Sequence, residues 1–397
     1  LKYLSIHFII FILSIYLKIY ELIFLYIFNL HNLNIFRIEL VLFISSIVIL
    51  YRIRYISYKK KRYFYLLIIF IISMYLLGLS SYCLVIFYSN YLSYKSGIIT
   101  ILINRFGDVI LLILIAPTPI SSLVHSSTLV TAGVYLLIRF NLINQVNIFL
   151  IIISILTIFV AGLAANLEYD FKKIIALSTL RQLGLIFTIL SLGFSFISFF
   201  HLLTHAIFKS ILFICAGILI HGINDIQDIR FYGNFYKITP FVCLCFNFAS
   251  ISLRGLPFLR GFYSKDKILE LFFIRNLNFF LIILLIFSTI LTVSYRFRLF
   301  IYIYNNNKIL GSLNILEENL LINFSILLLI FLTLIGGLIL NYIFIISMNL
   351  IILYFYFKIL ILRFISIGII LGYFIYNRII LNKIKVFFYN LVIINLL

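Results

Sequence analysis

The chain has 397 residues, 65% of them hydrophobic and 11% charged, with a formal net charge of +20. A soluble domain carries about 45–50% apolar and about 25% charged residues, so this composition excludes an ordinary water-soluble fold and calls for a nonpolar solvent. The positive balance would suggest nucleic acid in a soluble protein. Here the basic residues flank apolar runs, as at 58–62 (YKKKR) and 382–385 (NKIK), which is the pattern of membrane-edge anchoring, and no nucleic-acid partner is expected.

A membrane span needs about 20 mostly apolar residues. Taken in chain order, such runs fall at 4–28, 38–51, 63–88, 98–116, 121–140, 146–167, 173–192, 197–220, 239–258, 276–303, 320–346 and 349–377. Hydrocarbon leaves every backbone N–H and C=O to be satisfied within the segment, and the runs lack sustained two-residue alternation, so they read as helices. The loops between them, such as 224–237 and 305–319, are short and polar. The expected fold class is all-α, a polytopic membrane helical bundle with broken transmembrane helices. Its expected parts are N-terminal transmembrane helices over 1–97, a core over 98–303 and C-terminal transmembrane helices over 304–397. The apolar stretch from Ile6 is too long and aromatic for a cleavable signal peptide. The chain opens on Leu1, so its true start is expected to be missing.

Cys243 and Cys245 form a C-x-C in an apolar run with no second pair. A metal site needs about four ligands, so these cysteines are expected to pack, and no metal is expected.

The informative residues are ionisable groups inside the runs, because a charge near the bilayer centre costs about 2.5–3.5 kcal/mol or more and normally faces a cavity or a partner. At 116–140, Pro117 and Pro119 precede a helix that carries His125 among small residues; small residues let helices approach closely, and by itself this histidine reads as a hydrogen-bonded packing group. Asp170 with Lys172 and Lys173 opens another helix and reads as a helix-start acid beside edge lysines. At 199–217, His201, His205 and Lys209 stand four apart, one stripe on a helix with steps of about 6 Å. Imidazole changes charge near neutral pH, and a buried lysine can be brought toward that range. The stripe therefore suits a proton path; the other reading is a polar helix-packing stripe. At 252–270, Pro257 between Gly255 and Gly261 should break the helix, and Lys265 follows by two turns. Broken helices place their ends at membrane depth, where ions bind; the other reading is a helix end with a snorkelling lysine. The sequence has no P-loop, dinucleotide glycine pattern or nucleophile elbow.

Four stretches, in this order, resemble the subunit 5 family of NADH:ubiquinone oxidoreductase (respiratory complex I): 116–140, 170–184 (DFKKIIALSTLRQLG), 201–233 and 255–270 (GLPFLRGFYSKDKILE), with weaker similarity at 82–108 and 294–299. The broader relatives, other antiporter-like subunits and multisubunit cation/proton antiporters, share only the general scheme. The resemblance implies a multi-pass core subunit of the membrane arm in the mitochondrial inner membrane. Such a subunit moves protons on buried lysines, histidines and a carboxylate, coupled to NADH-to-quinone electron transfer on other chains. It implies membership in an enzyme without redox chemistry on this chain. It implies no cofactor bound here, with NADH, FMN, iron–sulfur clusters and ubiquinone on other subunits. Its partners would be other membrane-arm subunits and the lipid bilayer. By motif match, His125, His201, His205, Lys209, Lys265 and Asp266 take relay positions, and Lys172 and Lys173 fall on the family's D-x-K-K helix start, opened by Asp170. The alternatives are a subunit of a cation/proton antiporter and a defective gene model.

The last alternative rests on departures from the family. Its W-D/E-G helix, with the relay carboxylate, has no counterpart at Gly78–Leu79; its K-S-A-Q broken helix and W-L-P have none at Ile115–Ala116; its lateral helix is not recognisable after Asn377. The chain holds no Trp and 2 Met. Arg181, Arg254, Arg260 and Arg296 stand where the family usually carries a small residue, often serine. A mitochondrial gene read with the standard code would account for the composition, the arginines and the two internal gaps: AGA read as Arg instead of Ser, ATA as Ile instead of Met, and TGA-containing stretches skipped. A chain so shortened is expected not to pump.

Overall fold

The computed structural model describes residues 40–51, 129–139, 147–223, 226–255, 260–274, 278–304, 322–331, 333–334 and 355–377. The expected spans at 4–28, 63–88 and 98–116, the junctions at Gly78–Leu79 and Ile115–Ala116, and His125, Pro117, Pro119 and Pro257 lie outside them. The described residues contain α-helices, one short 3₁₀ turn and no strand.

In chain order the helices are α1 (Leu40–Tyr51), α2 (Leu129–Arg139), α3 (Ile148–Leu167), α4 (Phe171–Ser191), α5 (Ser195–Gly222), α6 (Phe235–Ile238), α7 (Pro240–Arg254), α8 (Arg260–Ile274), α9 (Phe279–Tyr304), α10 (Ile322–Phe331) and α11 (Phe355–Asn377). Four of them, α3, α4, α5 and α9, are long and apolar enough to cross a membrane. Their bounds agree with the expected runs to within about three residues.

Helix α5 is the axis of the bundle. It is buried along its length and is packed by α2, α4, α7 and α8. At 28 residues it is about 42 Å long, enough to cross the hydrocarbon with a polar stripe held inside. The outer helices show the reverse distribution. Phe149, Ile153 and Leu156 of α3, Phe279, Phe280 and Phe287 of α9, and Ile370 and Phe374 of α11 project large apolar groups outward, as lipid solvent permits.

With little hydrophobic drive between helices in lipid, close packing falls to small residues and polar contacts. Gly368 and Gly372, four apart on α11, meet the backbone of α9: a Cβ at Gly372 would lie 2.7 Å from the Ser294 carbonyl oxygen. At the α3–α9 contact, the Asn166 amide donates to Gly162 O at 3.0 Å, and Ser294 Oγ donates to Asn166 Oδ1 at 2.9 Å. Arg298 reaches from α9 to the end of α3 and donates to the carbonyls of Ala165, Asn166 and Glu168, which are the acceptors a helix C-terminus leaves without intrahelical partners.

The loop expected at 224–237 is partly structured: a 3₁₀ turn at Ile229–Phe231 and α6 lie within it or at its end. Phe171 N donates to Gln227 O at 2.8 Å and Ile229 N to Tyr169 O at 3.0 Å, tying this connection to the start of α4. The ordering was missed because it comes from a partner segment rather than from local propensity.

The expected run at 239–258 ends early. Helix α7 stops at Arg254, with Gly255 in the left-handed region at φ +86° and its N–H on Ser252 O, so the break begins two residues before Pro257. Gly255 supplies the backbone conformation that side chains disfavour. Gly261 supplies the clearance: a Cβ there would stand 1.9 Å from Ser252 O, so only glycine lets α8 start against the end of α7. Gly261→Ala is expected to destabilise the subunit by about 1–3 kcal/mol through overpacking, read as a lowered melting temperature of the detergent-solubilised complex.

Candidate functional site

A line of buried protonatable side chains runs along α5 and continues onto α8. His201, His205 and Lys209 are buried on α5, with His205 and Lys209 fully enclosed, and Lys265 is buried on α8 at 6% exposure. Lys209 stands near the middle of α5, the depth at which hydrocarbon is least forgiving of charge.

The surrounding helices contribute hydroxyls, an amide and carbonyls. Lys209 Nζ donates to Ser178 Oγ and, at 3.4 Å, to Ile175 O, both on α4. His201 bridges two helices: Nε2 lies 3.2 Å from Gln182 Oε1 on α4, and Nδ1 lies 3.1 Å from Ser264 Oγ on α8. Lys265 adjoins Ser264 in the chain and interacts electrostatically with His201; its stem passes the α7–α8 break, where a Cβ at Gly255 would meet its Cδ at 3.6 Å. Neither ring nitrogen of His205 has a hydrogen-bond partner among the described residues, although His205 interacts electrostatically with Lys209 and His201. Buried polar groups are normally paired with protein or water, so an unpaired imidazole between two protonatable neighbours marks a place where hydration or side-chain motion must complete the contacts.

The structure thus brings together four of the expected residues and separates others from them. Asp170, Lys172 and Lys173 stand at the start of α4, and the Lys173–Asp170 ion pair, at 2.7 Å, is well exposed. Asp170 occupies the N-cap without a side-chain cap hydrogen bond, so its side chain serves that pair rather than the helix terminus. Asp266 lies within α8, with its side chain outside the description. Sequence reading passed over Ser178, Gln182 and Ser264, because hydroxyl and amide residues are common in membrane helices and only tertiary contact distinguishes these. It also passed over Glu270, a carboxylate buried on α8, for which acidity within an apolar helix was the available signal.

Two more cations enter this interior. Arg181 of α4 is fully buried; Nη2 donates to Ser288 O at 2.5 Å and the guanidinium interacts with Tyr295, while Nε and Nη1 have no well-formed hydrogen bond among the described residues. Arg296 of α9 is 3% exposed; both its terminal nitrogens lack hydrogen-bond partners there, and the guanidinium stands over the Tyr295 ring at 5.4 Å from its centroid. Both interact electrostatically with Lys209. Arg298, two residues from Arg296, gives both terminal nitrogens to three carbonyls, with only its Nε left without a hydrogen-bond partner among the described residues. One helix therefore carries a guanidinium the fold is built around and another it does not accommodate. An unsatisfied buried donor costs about 1–3 kcal/mol, and more when charged.

A lipid-solvated helical bundle, an axial helix carrying buried histidines and a lysine, and a second lysine just past a helix break define a membrane-embedded ion-translocation protein of the antiporter-like class. Residues 113–292 match the family described as NADH:quinone oxidoreductase/Mrp antiporter, TM. The chain is 41% identical over 420 residues to the NADH-ubiquinone oxidoreductase chain 5 of Aedes aegypti, covering 87% of this chain and 72% of the relative. It is 41% identical over 408 residues to that of Locusta migratoria, covering 84% and 71%. The chain belongs to the NADH-ubiquinone oxidoreductase chain 5 family. Each alignment runs over more residues than this chain supplies to it, so the relatives carry internal stretches with no counterpart here. Among solved structures, the Mrp complex of Dietzia sp. shares the fold at TM-score 0.53 and 23% identity, over 64% of this chain and 30% of that one. An archaeal membrane-bound sulfane sulfur reductase matches at TM-score 0.50 and 26% identity, over 66% and 52%. This chain thus spans about a third to a half of the solved chains it matches.

Arg298→Ala is expected to destabilise the subunit by about 1.5–3 kcal/mol, because it strips the α3 terminus of a charged donor. Arg296→Ser, which removes two unmet buried donors, is expected to raise stability by about 1–3 kcal/mol; thermal unfolding of the complex reads both.

Proposed function

We propose that this chain is a proton-translocating subunit of the membrane arm of NADH:ubiquinone oxidoreductase in the mitochondrial inner membrane. In this reading the proton moves along Lys209, His205, His201 and Lys265. The observation that carries it is the burial of all four side chains, three in one stripe on α5 and the fourth on α8 beside it, where lipid solvent makes idle ionisable groups costly. Adjacent stations on α5 are about 6 Å apart, a gap that one hydrogen-bonded group or water closes.

The chain's own residues hold and pass protons and perform no electron transfer. NADH, FMN, iron–sulfur clusters and ubiquinone belong to partner subunits, and other membrane-arm subunits and the bilayer surround this one. His125 and Asp266 extend the proposed path by motif, and Asp170, Lys172 and Lys173 sit at its edge as helix-start groups. In the complex assembled on the organellar gene product and reconstituted into liposomes, Lys209→Ala or Lys265→Ala is expected to lower proton-coupled turnover at least about tenfold. Removing a positioned proton carrier typically costs 10²–10⁴. Unchanged proton uptake per NADH oxidised would overturn the assignment.

A second reading concerns the chain's chemical identity. The orphaned nitrogens of Arg181 and Arg296 beside Lys209, the lack of Trp and the 2 Met favour a mitochondrial gene read with the standard code, with serine as the organellar residue at both positions. Mass spectrometry of peptides spanning 181 and 296 from the isolated complex is expected to show serine. Arginine at both would end this reading. The chain exactly as written is expected to support no proton flux.

A further inference from the structure

The proton path has one junction where it must leave α5 for α8, and the contacts of His201 show how that crossing is built. A neutral imidazole has one donating and one accepting nitrogen. Gln182 Oε1 can only accept, so the 3.2 Å contact puts the hydrogen on Nε2. Nδ1 is then the acceptor, and the Ser264 hydroxyl donates to it at 3.1 Å rather than to Gly261 O at 3.4 Å. Both ring nitrogens are thereby committed to groups off α5, while His205, one turn along, has neither nitrogen hydrogen-bonded among the described residues. The protein's hydrogen-bonded chain therefore runs continuously from Gln182 through His201 to Ser264 and opens between His201 and His205.

We infer that Ser264 and Gln182 are positioning residues for proton transfer at His201: Ser264 passes the proton between Nδ1 and the Lys265 side, and Gln182 latches Nε2 so that the ring serves one side at a time. Each hop conserves protons. Ser264 gives its hydroxyl proton to Nδ1 as Oγ takes one from the Lys265 side, or the reverse, and no other covalent bond changes. The Gln182 amide is not a proton carrier at neutral pH, so the Nε2 end is closed while it holds. Transfer toward His205 requires the ring to turn and give up the Gln182 contact. The latch thus turns a continuous wire into two half-paths, which keeps protons from running back freely across the junction.

This inference rests on the relay reading above, and the test separates the two. In the reconstituted complex, Ser264→Ala is expected to lower proton-coupled turnover at least about tenfold, and Ser264→Thr, which restores the hydroxyl, to recover it to within about twofold of the starting rate. Gln182→Leu removes an acceptor that favours the doubly protonated ring, so the histidine-dependent limb of the pH profile moves to lower pH, while Gln182→Glu, which sets a carboxylate against Nε2, moves it to higher pH. Among the described residues, the titratable groups that interact with this ring are His205 on its own helix and Lys265 on α8; neither is changed in these variants. If Lys209→Ala and Lys265→Ala impair turnover but Ser264→Ala does not, the junction is refuted and the relay stands. If Ser264→Thr fails to recover what Ser264→Ala loses, the hydroxyl transfer is refuted. If Lys209→Ala, Lys265→Ala and Ser264→Ala all leave proton-coupled turnover unchanged, the relay reading falls with the junction.

Discussion

Everything in this bundle is arranged around protonatable groups enclosed in an interior whose outer solvent is lipid. Lys209 stands near mid-helix, fully enclosed, and its ammonium is met by the Ser178 hydroxyl and the Ile175 carbonyl of the neighbouring helix. A group of this kind persists only where the surrounding helices hold it away from hydrocarbon and offer it oxygen ligands. That requirement accounts for the near-complete burial of α5, for the hydroxyl-bearing face of α4 and for the apolar outward faces of α3, α9 and α11.

The break between α7 and α8 answers the same requirement by different means. Gly255 turns the chain out of the helix and Gly261 permits contact with the Ser252 carbonyl. Together they set Ser264 and Lys265 opposite His201. The two glycines act through backbone shape, the bridging serine and glutamine through hydrogen bonding.

Arg181, Arg296 and Arg298 show how the same side chain is judged by its surroundings. Arg298 completes the end of α3 with three carbonyls. Arg181 and Arg296 bring charge into the proton-bearing interior with several donors unmet. A lipid-embedded fold tolerates guanidinium where helix termini offer acceptors and disfavours it on helix walls, whose carbonyls are already engaged. The contrast between Arg296 and Arg298, two residues apart on α9, is therefore one of position and not of residue type.

The amino-acid sequence by itself determined the solvent and the element type, because apolar runs of span length leave the helix as the economical way to satisfy the backbone. It also determined the stripe of His201, His205 and Lys209, since four-residue spacing on a helix is fixed by covalent geometry, and it located the break to within two residues, through its glycines and Pro257. Only the tertiary structure decided that Lys265 joins that stripe, that Gln182 and Ser264 hold the two sides of one imidazole, and that Asp170, Lys172 and Lys173 stay at the exposed edge. The reason is physical. Periodicity fixes which side chains share a helix face, whereas partners on different helices meet only when glycine contacts, carbonyl caps and buried hydroxyls set the distance between those helices.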